Sequence, residues 1–299
     1  MTRSLLKPLT KPSDASQAVF MVAGLGGHVL RFRPLAKALR PRWHMTGLLY
    51  PFYVGGATSC PSIEELATRM RAPFDQIDSP IILVGYSIGG AFAYQIATDL
   101  RASGKDVAVV CIDTKLGRLL RKRGRLLRGF RYLLYRKPRM LLNMVREMKW
   151  PAPNPRPAPV WQPDDEDLQN FVQDCRRSVR RYRPPQSDVP VVLIRAQAHL
   201  QWRNWIDSPH WPLPDHGWAK VAPVAEVVPG PGDHLSIVYP EHLDDLAQSV
   251  DRALEIALRS IAQSGRRGDT ANSGGSSHLR DDIASRQLGT AANFGDGTF

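Results

Sequence analysis

Cysteine is scarce in this 299-residue chain: Cys60, Cys111 and Cys175 are odd in number, widely spaced and without a CxxC pair. That speaks against a disulfide framework or a zinc knuckle and leaves three reduced thiols, with Cys111 expected in the core. Long apolar runs are missing too. No stretch reaches the roughly 18 residues a membrane span needs, and the N-terminal MTRSLLKPLTKPSDASQAVF is basic without an apolar h-region of signal-peptide length. The expectation is a soluble, cytoplasmic protein. The dinucleotide fingerprint spacing is absent as well, so the glycine-rich loop Ala23-Gly24-Leu25-Gly26-Gly27-His28 is not read as a phosphate cradle. No metal and no nucleotide cofactor are expected. Finally, acidic residues are almost absent between 115 and 150, where thirteen Lys and Arg face Glu147 alone, so that this stretch carries the entire net charge of +12.

What is present is a 43% hydrophobic composition, ample for one large core. Short apolar, β-branched runs predict strands over Ala18–Ala23, Pro80–Gly85, Asp106–Ile112, Val189–Ala196 and Ala225–Val228. Between them, apolar residues at three- and four-residue spacing predict helices over Leu30–Leu39, Ile63–Ile77, Ile88–Leu100 and Glu241–Ile261. This alternation predicts an α/β fold, a mostly parallel central sheet flanked by helices. It breaks at about 115–188, where a basic amphipathic stretch, the Pro-rich WPAPNPRPAPVWQP and a second basic helix, DLQNFVQDCRRSVRRYR, read as a helical lid insertion. The ordered domain is expected to span 1–262. Residues 263–299 are rich in Gly, Ser, Thr and Asn, and are expected to be a disordered tail.

The chemistry concentrates at Val84-Gly85-Tyr86-Ser87-Ile88-Gly89-Gly90, at the junction of a predicted strand and helix. Gly-x-Ser-x-Gly in that context is a nucleophile elbow, a turn so sharp that side chains flanking the serine would collide with neighbouring backbone. The pattern also fits an ordinary turn; the strand before it and the helix after it favour the elbow. Ser87 then needs a base, and His234, in the Gly/Pro-rich loop VPGPGDHL beyond the last strand, is placed for it. His28 comes too early in chain order, His44 falls in an edge segment, His199, His210 and His216 precede the last strand, His242 is on a helix and His278 is in the tail. A carboxylate must orient the imidazole. Asp113 ends the strand after the nucleophile's helix, 26 positions beyond Ser87, and is favoured; Asp207 and Asp215, after the following strand, are the alternatives. The amides of Ile88, at the helix start, and Leu25, in the glycine-rich loop, are the candidate oxyanion donors.

Four segments together resemble the thioesterase domains of polyketide and nonribosomal peptide synthases, within the α/β-hydrolase fold: AGLGGHVLRFRPLAKAL, VGYSIGGAFAYQIA, VVCIDT and GPGDHLSIVYPEHLDDLA. They run in order from about residue 18 to 262. The resemblance implies Ser87, Asp113 and His234 as a catalytic triad and favours Asp113 over Asp207. It also implies a substrate acyl or peptidyl chain held on the phosphopantetheine arm of a carrier protein or synthase module, with hydrolysis or cyclisation releasing it and no other cofactor. Two features depart from the family. Its frequent His-Pro-x-Gly-Gly is replaced here by Val22-Ala23-Gly24-Leu25-Gly26-Gly27, and the lid is more basic than is typical. That basic stretch fits a solvated lid face, a docking surface for an acidic carrier, or a patch for an anionic membrane or nucleic acid. Of these partners the carrier is the one expected; nucleic acid and membrane are not. Rival functions are a carboxylesterase or lipase acting on free esters with the same triad, and a catalytically silent binding protein of the same fold.

Overall fold

In a computed structural model, residues 4–11, 17–55, 59–77, 80–116, 166–198 and 214–264 are described. The basic segment from 117 onward, the Pro-rich segment, Asp207 and the tail from 265 onward lie outside them; of the basic stretch only Lys115 and Leu116 fall within.

Seven strands form one sheet: β1 (Leu6–Pro8), β2 (Gln17–Val22), β3 (Trp43–Leu48), β4 (Ile81–Tyr86), β5 (Val107–Ile112), β6 (Val191–Ala196) and β7 (Val224–Gly230). Their order is β1-β3-β2-β4-β5-β6-β7. Only β1 is antiparallel to its neighbour; the other pairs are parallel. The helices are α1 (Arg33–Ala38), α2 (Ile63–Arg71), α3 (Gly89–Ala102), α4 (Glu166–Arg181) and α5 (243–264).

β4 and β5 are buried at every position because both faces of a parallel sheet are covered. Successive side chains point to opposite faces, and the core divides accordingly. Ile81 and Leu83 of β4, with Val107, Val109 and Cys111 of β5, meet α2, α3 and α4. Ile82, Val84, Ala108, Val110 and Ile112 meet α1 and α5 on the other side. Cys111 is buried as expected, and Cys60 and Cys175 are buried free thiols as well.

Three expectations change. The segment around His44 is not an edge: β3 lies between β1 and β2, because three residues, Leu6–Pro8, add an outer strand. Pro8, with no N–H to donate, suits that outer position. The helix expected over Leu30–Leu39 is a 3₁₀ turn, Val29–Phe32, followed by α1, since Pro34 lacks the donor needed to continue the earlier turn and sits in the first turn of a new helix. Likewise α2 stops at Arg71, and Pro73 lies in the 3₁₀ turn Ala72–Phe74. Its start is capped by Ser62, whose Oγ accepts from the Glu65 amide at 3.0 Å.

The second basic helix of the expected insertion, α4, packs onto the core. Leu168, Phe171, Val172 and Cys175 form its buried stripe. Phe171 stacks on Phe52 at 5.1 Å and meets Tyr50 edge-on at 5.9 Å. The Ser178 hydroxyl donates to Cys60 O at 2.7 Å, and the Tyr182 hydroxyl donates to Gln95 Oε1 at 2.9 Å. No helix among the described residues is long and apolar enough to cross a membrane.

Candidate active site

Between β4 and α3 the chain reverses through Ser87, whose φ of +55° lies in the left-handed region, a conformation that costs a residue with a Cβ roughly 1–2 kcal/mol. The turn is fixed from three sides. The Ser87 amide donates to Ile112 O at 3.0 Å, Gly90 N donates to Ser87 O at 3.1 Å, and the Thr114 hydroxyl donates to Ser87 O at 2.8 Å. The flanking glycines leave no room for a side chain: a Cβ on Gly89 would stand 2.4 Å from both Val22 O and Ala23 O, and one on Gly85 would stand 2.4 Å from the Gly90 Cα. Because the Gly89 clash is with backbone of a central strand, Gly89→Ala is expected to destabilise the fold by about 3 kcal/mol or more, at the upper end of overpacking costs. A urea melt within about 1 kcal/mol of wild type would show that the junction is not that tight.

His234 follows β7, and its Nε2 lies 3.0 Å from Ser87 Oγ while its Nδ1 lies 2.7 Å from Asp113 Oδ2. With the proton on Nδ1, the imidazole donates to the carboxylate and leaves Nε2 to accept from the serine hydroxyl. The loop carrying His234 is built on Asp233, whose Oδ1 accepts from Leu235 N at 2.8 Å and Ser236 N at 2.9 Å. Tyr86, the residue before the serine, donates its hydroxyl to His234 O at 2.7 Å, and its ring stacks on the imidazole at 5.8 Å. Thus one turn supplies both the serine and a strut for the histidine.

Asp113 stands at the end of β5 with φ +46° and is 2% exposed. The parallel register that pairs Tyr86 with Ile112 is what sets Asp113 beside Ser87. Burial alone would push its carboxyl up; hydrogen bonds from His216 and His234, with the Lys115 ammonium 3.8 Å from Oδ2, outweigh this and hold it well below the usual carboxylate range. Of the alternative acids, Asp215 spends its oxygens on the amides of Gly217 (3.1 Å) and Ala219 (2.8 Å), as a turn cap. Asp207 lies outside the described residues.

The Gly24–Gly27 turn closes with Gly27 N donating to Gly24 O at 3.0 Å, and Gly26 and Gly27 take φ of +90° and +64°. A Cβ on Gly24 would lie 2.9 Å from the Tyr86 ring and 3.3 Å from Ser87 Cβ, so the peptide leading to Leu25 runs directly beside the serine. Two tyrosines that sequence reasoning passed over brace this loop by its carbonyls: Tyr50 donates to Ala23 O at 3.0 Å, and Tyr53 donates to Gly26 O. The other missed residue is His216, whose Nε2 lies 3.0 Å from Asp113 Oδ1. No local pattern marks it, since the pair is 103 positions apart. Among the other described histidines, His44 bonds to Thr10 and Thr46, and His28 packs its ring near Tyr53.

A parallel sheet, a serine on a strained strand-to-helix turn, a histidine after the last strand and a buried carboxylate define the class of α/β-hydrolases. Within it, a family model described as Thioesterase domain matches residues 17–254. The chain belongs to that thioesterase family. It is similar to enterobactin synthase component F of Escherichia coli (strain K12), 33% identical over 91 residues that make up 29% of this chain and 7% of that protein. The match thus spans a small part of that relative's length. Among solved structures, the NocB thioesterase domain, determined as a covalent complex with a fluorophosphonate nocardicin G analogue, is 21% identical with a TM-score of 0.54, covering 83% of this chain and 99% of that one. The type II thioesterase BorB from the borrelidin biosynthetic cluster is 16% identical with a TM-score of 0.56, covering 84% and 96%.

Proposed function

We propose that this chain cleaves acyl thioesters through a covalent acyl-enzyme on Ser87. The observation that carries the reading is the unbroken series from Ser87 Oγ through His234 to the buried Asp113 carboxylate, at 3.0 and 2.7 Å. His234 takes the hydroxyl proton as Oγ attacks the thioester carbonyl. The Leu25 and Ile88 amides hold the resulting oxyanion. Collapse breaks the carbon–sulfur bond, and His234 returns its proton to the departing thiolate. Water, or a nucleophile within the acyl chain, then attacks the acyl-enzyme, with His234 again as base, and regenerates Ser87. Asp113 keeps the Nδ1 proton in place and stabilises the imidazolium formed in each half-reaction. These steps need no metal or nucleotide.

Family membership and the synthase relatives support a substrate carried on the phosphopantetheine arm of a carrier protein or synthase module. The cationic segment 115–150 suits an acidic carrier surface. The test is intact-mass spectrometry of the protein incubated with acyl-carrier thioesters, acyl-pantetheine and matched oxygen esters. An acyl adduct on wild type, absent from Ser87→Ala and formed faster from thioesters, is expected. Faster acylation by the oxygen esters would make the protein an esterase, and no adduct from any donor together with no labelling by a fluorophosphonate would make it a silent binding protein.

A further inference from the structure

Asp113 faces two histidines. Oδ2 takes the His234 Nδ1–H, while Oδ1 takes the His216 Nε2–H at 3.0 Å and the Ala196 amide at 3.2 Å. We propose that His216 is a positioning residue for the reaction, fixing the Asp113 carboxylate by its second oxygen so that His234 stays aimed at Ser87. This rests on the triad reading above.

A carboxylate gripped at both oxygens is held against turning about its Cβ–Cγ bond; the Ala196 amide is one grip on Oδ1 and His216 the shorter second one, so losing His216 loosens the carboxylate, and the imidazole it carries, without freeing it. His216 is built for such a clamp. It is 4% exposed, takes φ +52°, and is followed by Gly217 at φ +90°. Its segment is fastened to the strand end that bears Asp113: Leu116 N donates to His216 O at 3.4 Å, and the indole of fully buried Trp218 donates to Thr114 O at 3.0 Å. The charged and titratable groups around it are Asp113 and Lys115 after β5, Arg195 on β6, Asp215 on its own loop, and His234 across the carboxylate. Burial pushes the His216 imidazole towards its neutral form against the pull of Asp113, so it acts as a hydrogen-bond donor rather than as a second cation. The arrangement is not that of metal ligands, for no group of three or more His, Cys, Asp or Glu among the described residues is placed to hold an ion.

The experiment compares wild type, His216→Phe, His216→Gln and the same changes in an Asp113→Asn background. Fluorophosphonate labelling of wild-type Ser87 comes first, since its failure sinks the triad and not the clamp. Given labelling, His216→Phe is expected to lower kcat on a soluble thioester roughly tenfold with KM little changed, the worth of one hydrogen bond to a charged group. The acidic limb of its pH profile should move up, because a carboxylate relieved of one donor keeps more of its negative charge towards the rest of the site. His216→Gln, whose amide places an N–H near the Nε2 position, should recover most of the rate. On Asp113→Asn, His216→Phe should cost nothing further. Independent of any variant, ¹⁵N-histidine NMR of wild type should show His216 with its proton on Nε2 at neutral pH. The opposite tautomer, an unchanged pH profile in both variants, or losses that add fully to that of Asp113→Asn would each overturn the clamp.

Discussion

Ser87→Ala should lose turnover by a factor on the order of 10³ to 10⁶ while leaving KM nearly unchanged, because only the covalent step is removed and the groups that bind substrate remain. Ser87→Gly should be equally inactive, yet the two variants should differ in stability. Alanine at this position must still hold a Cβ at φ +55°, whereas glycine visits that region freely. The glycine variant is therefore expected to be more stable than the alanine variant by about 1 kcal/mol, even though glycine ordinarily weakens a fold through the entropy of the unfolded chain. Paired urea melts with labelling assays check both halves. Equal stabilities would mean that the turn is not strained at the serine, and residual turnover near wild type would mean that another group attacks the thioester.

The elbow was legible because its requirement acts on the residues themselves: Gly85 and Gly89 are glycines since backbone atoms occupy the space a Cβ would need. His234 was legible for a similar local reason, the Gly- and Pro-rich loop that must carry it back over the sheet. Asp113 could only be favoured over Asp207 and Asp215, because which strand end faces Ser87 depends on the β4–β5 register, a long-range fact. Tyr50, Tyr53 and His216 left no trace in the sequence, because each reaches the site through a hydrogen bond to a partner at least 27 positions away. The place of β3 turned on three residues at its outer side, too few to show a period. α4 falls within the insertion expected at 115–188, and the apolar stripe at positions 168, 171, 172 and 175 that packs it onto the core is less visible in the sequence than its many cations.

Asp113→Asn tests the centre of the site, and its outcome follows from counting donors. Three N–H groups converge on this side chain, from His234 on one oxygen and from His216 and Ala196 on the other. An asparagine offers one oxygen and one NH₂. Turning its oxygen to His216 and Ala196 satisfies two donors and leaves the NH₂ facing His234, which must then move its proton from Nδ1 to Nε2. In that tautomer the imidazole cannot accept the Ser87 proton, so kcat is expected to fall about 10⁴-fold, the cost seen when a triad histidine is left in the wrong tautomer. The same substitution should change how stability depends on pH. The Asp113 carboxyl is held below its ordinary range in the folded protein, so its ionised form favours folding; that contribution is complete above the unfolded-state value of about 3.9 and disappears as pH falls through the lower folded value. Wild type should therefore exceed Asp113→Asn in stability at neutral pH, with the gap closing as the pH is lowered from about 5 towards 2. Chemical denaturation of both proteins across that range measures the gap directly. A gap that stays constant down to the acid end would show that the carboxylate is not charge-stabilised by its two histidines and Lys115, and the electrostatic account of the site would fall with it.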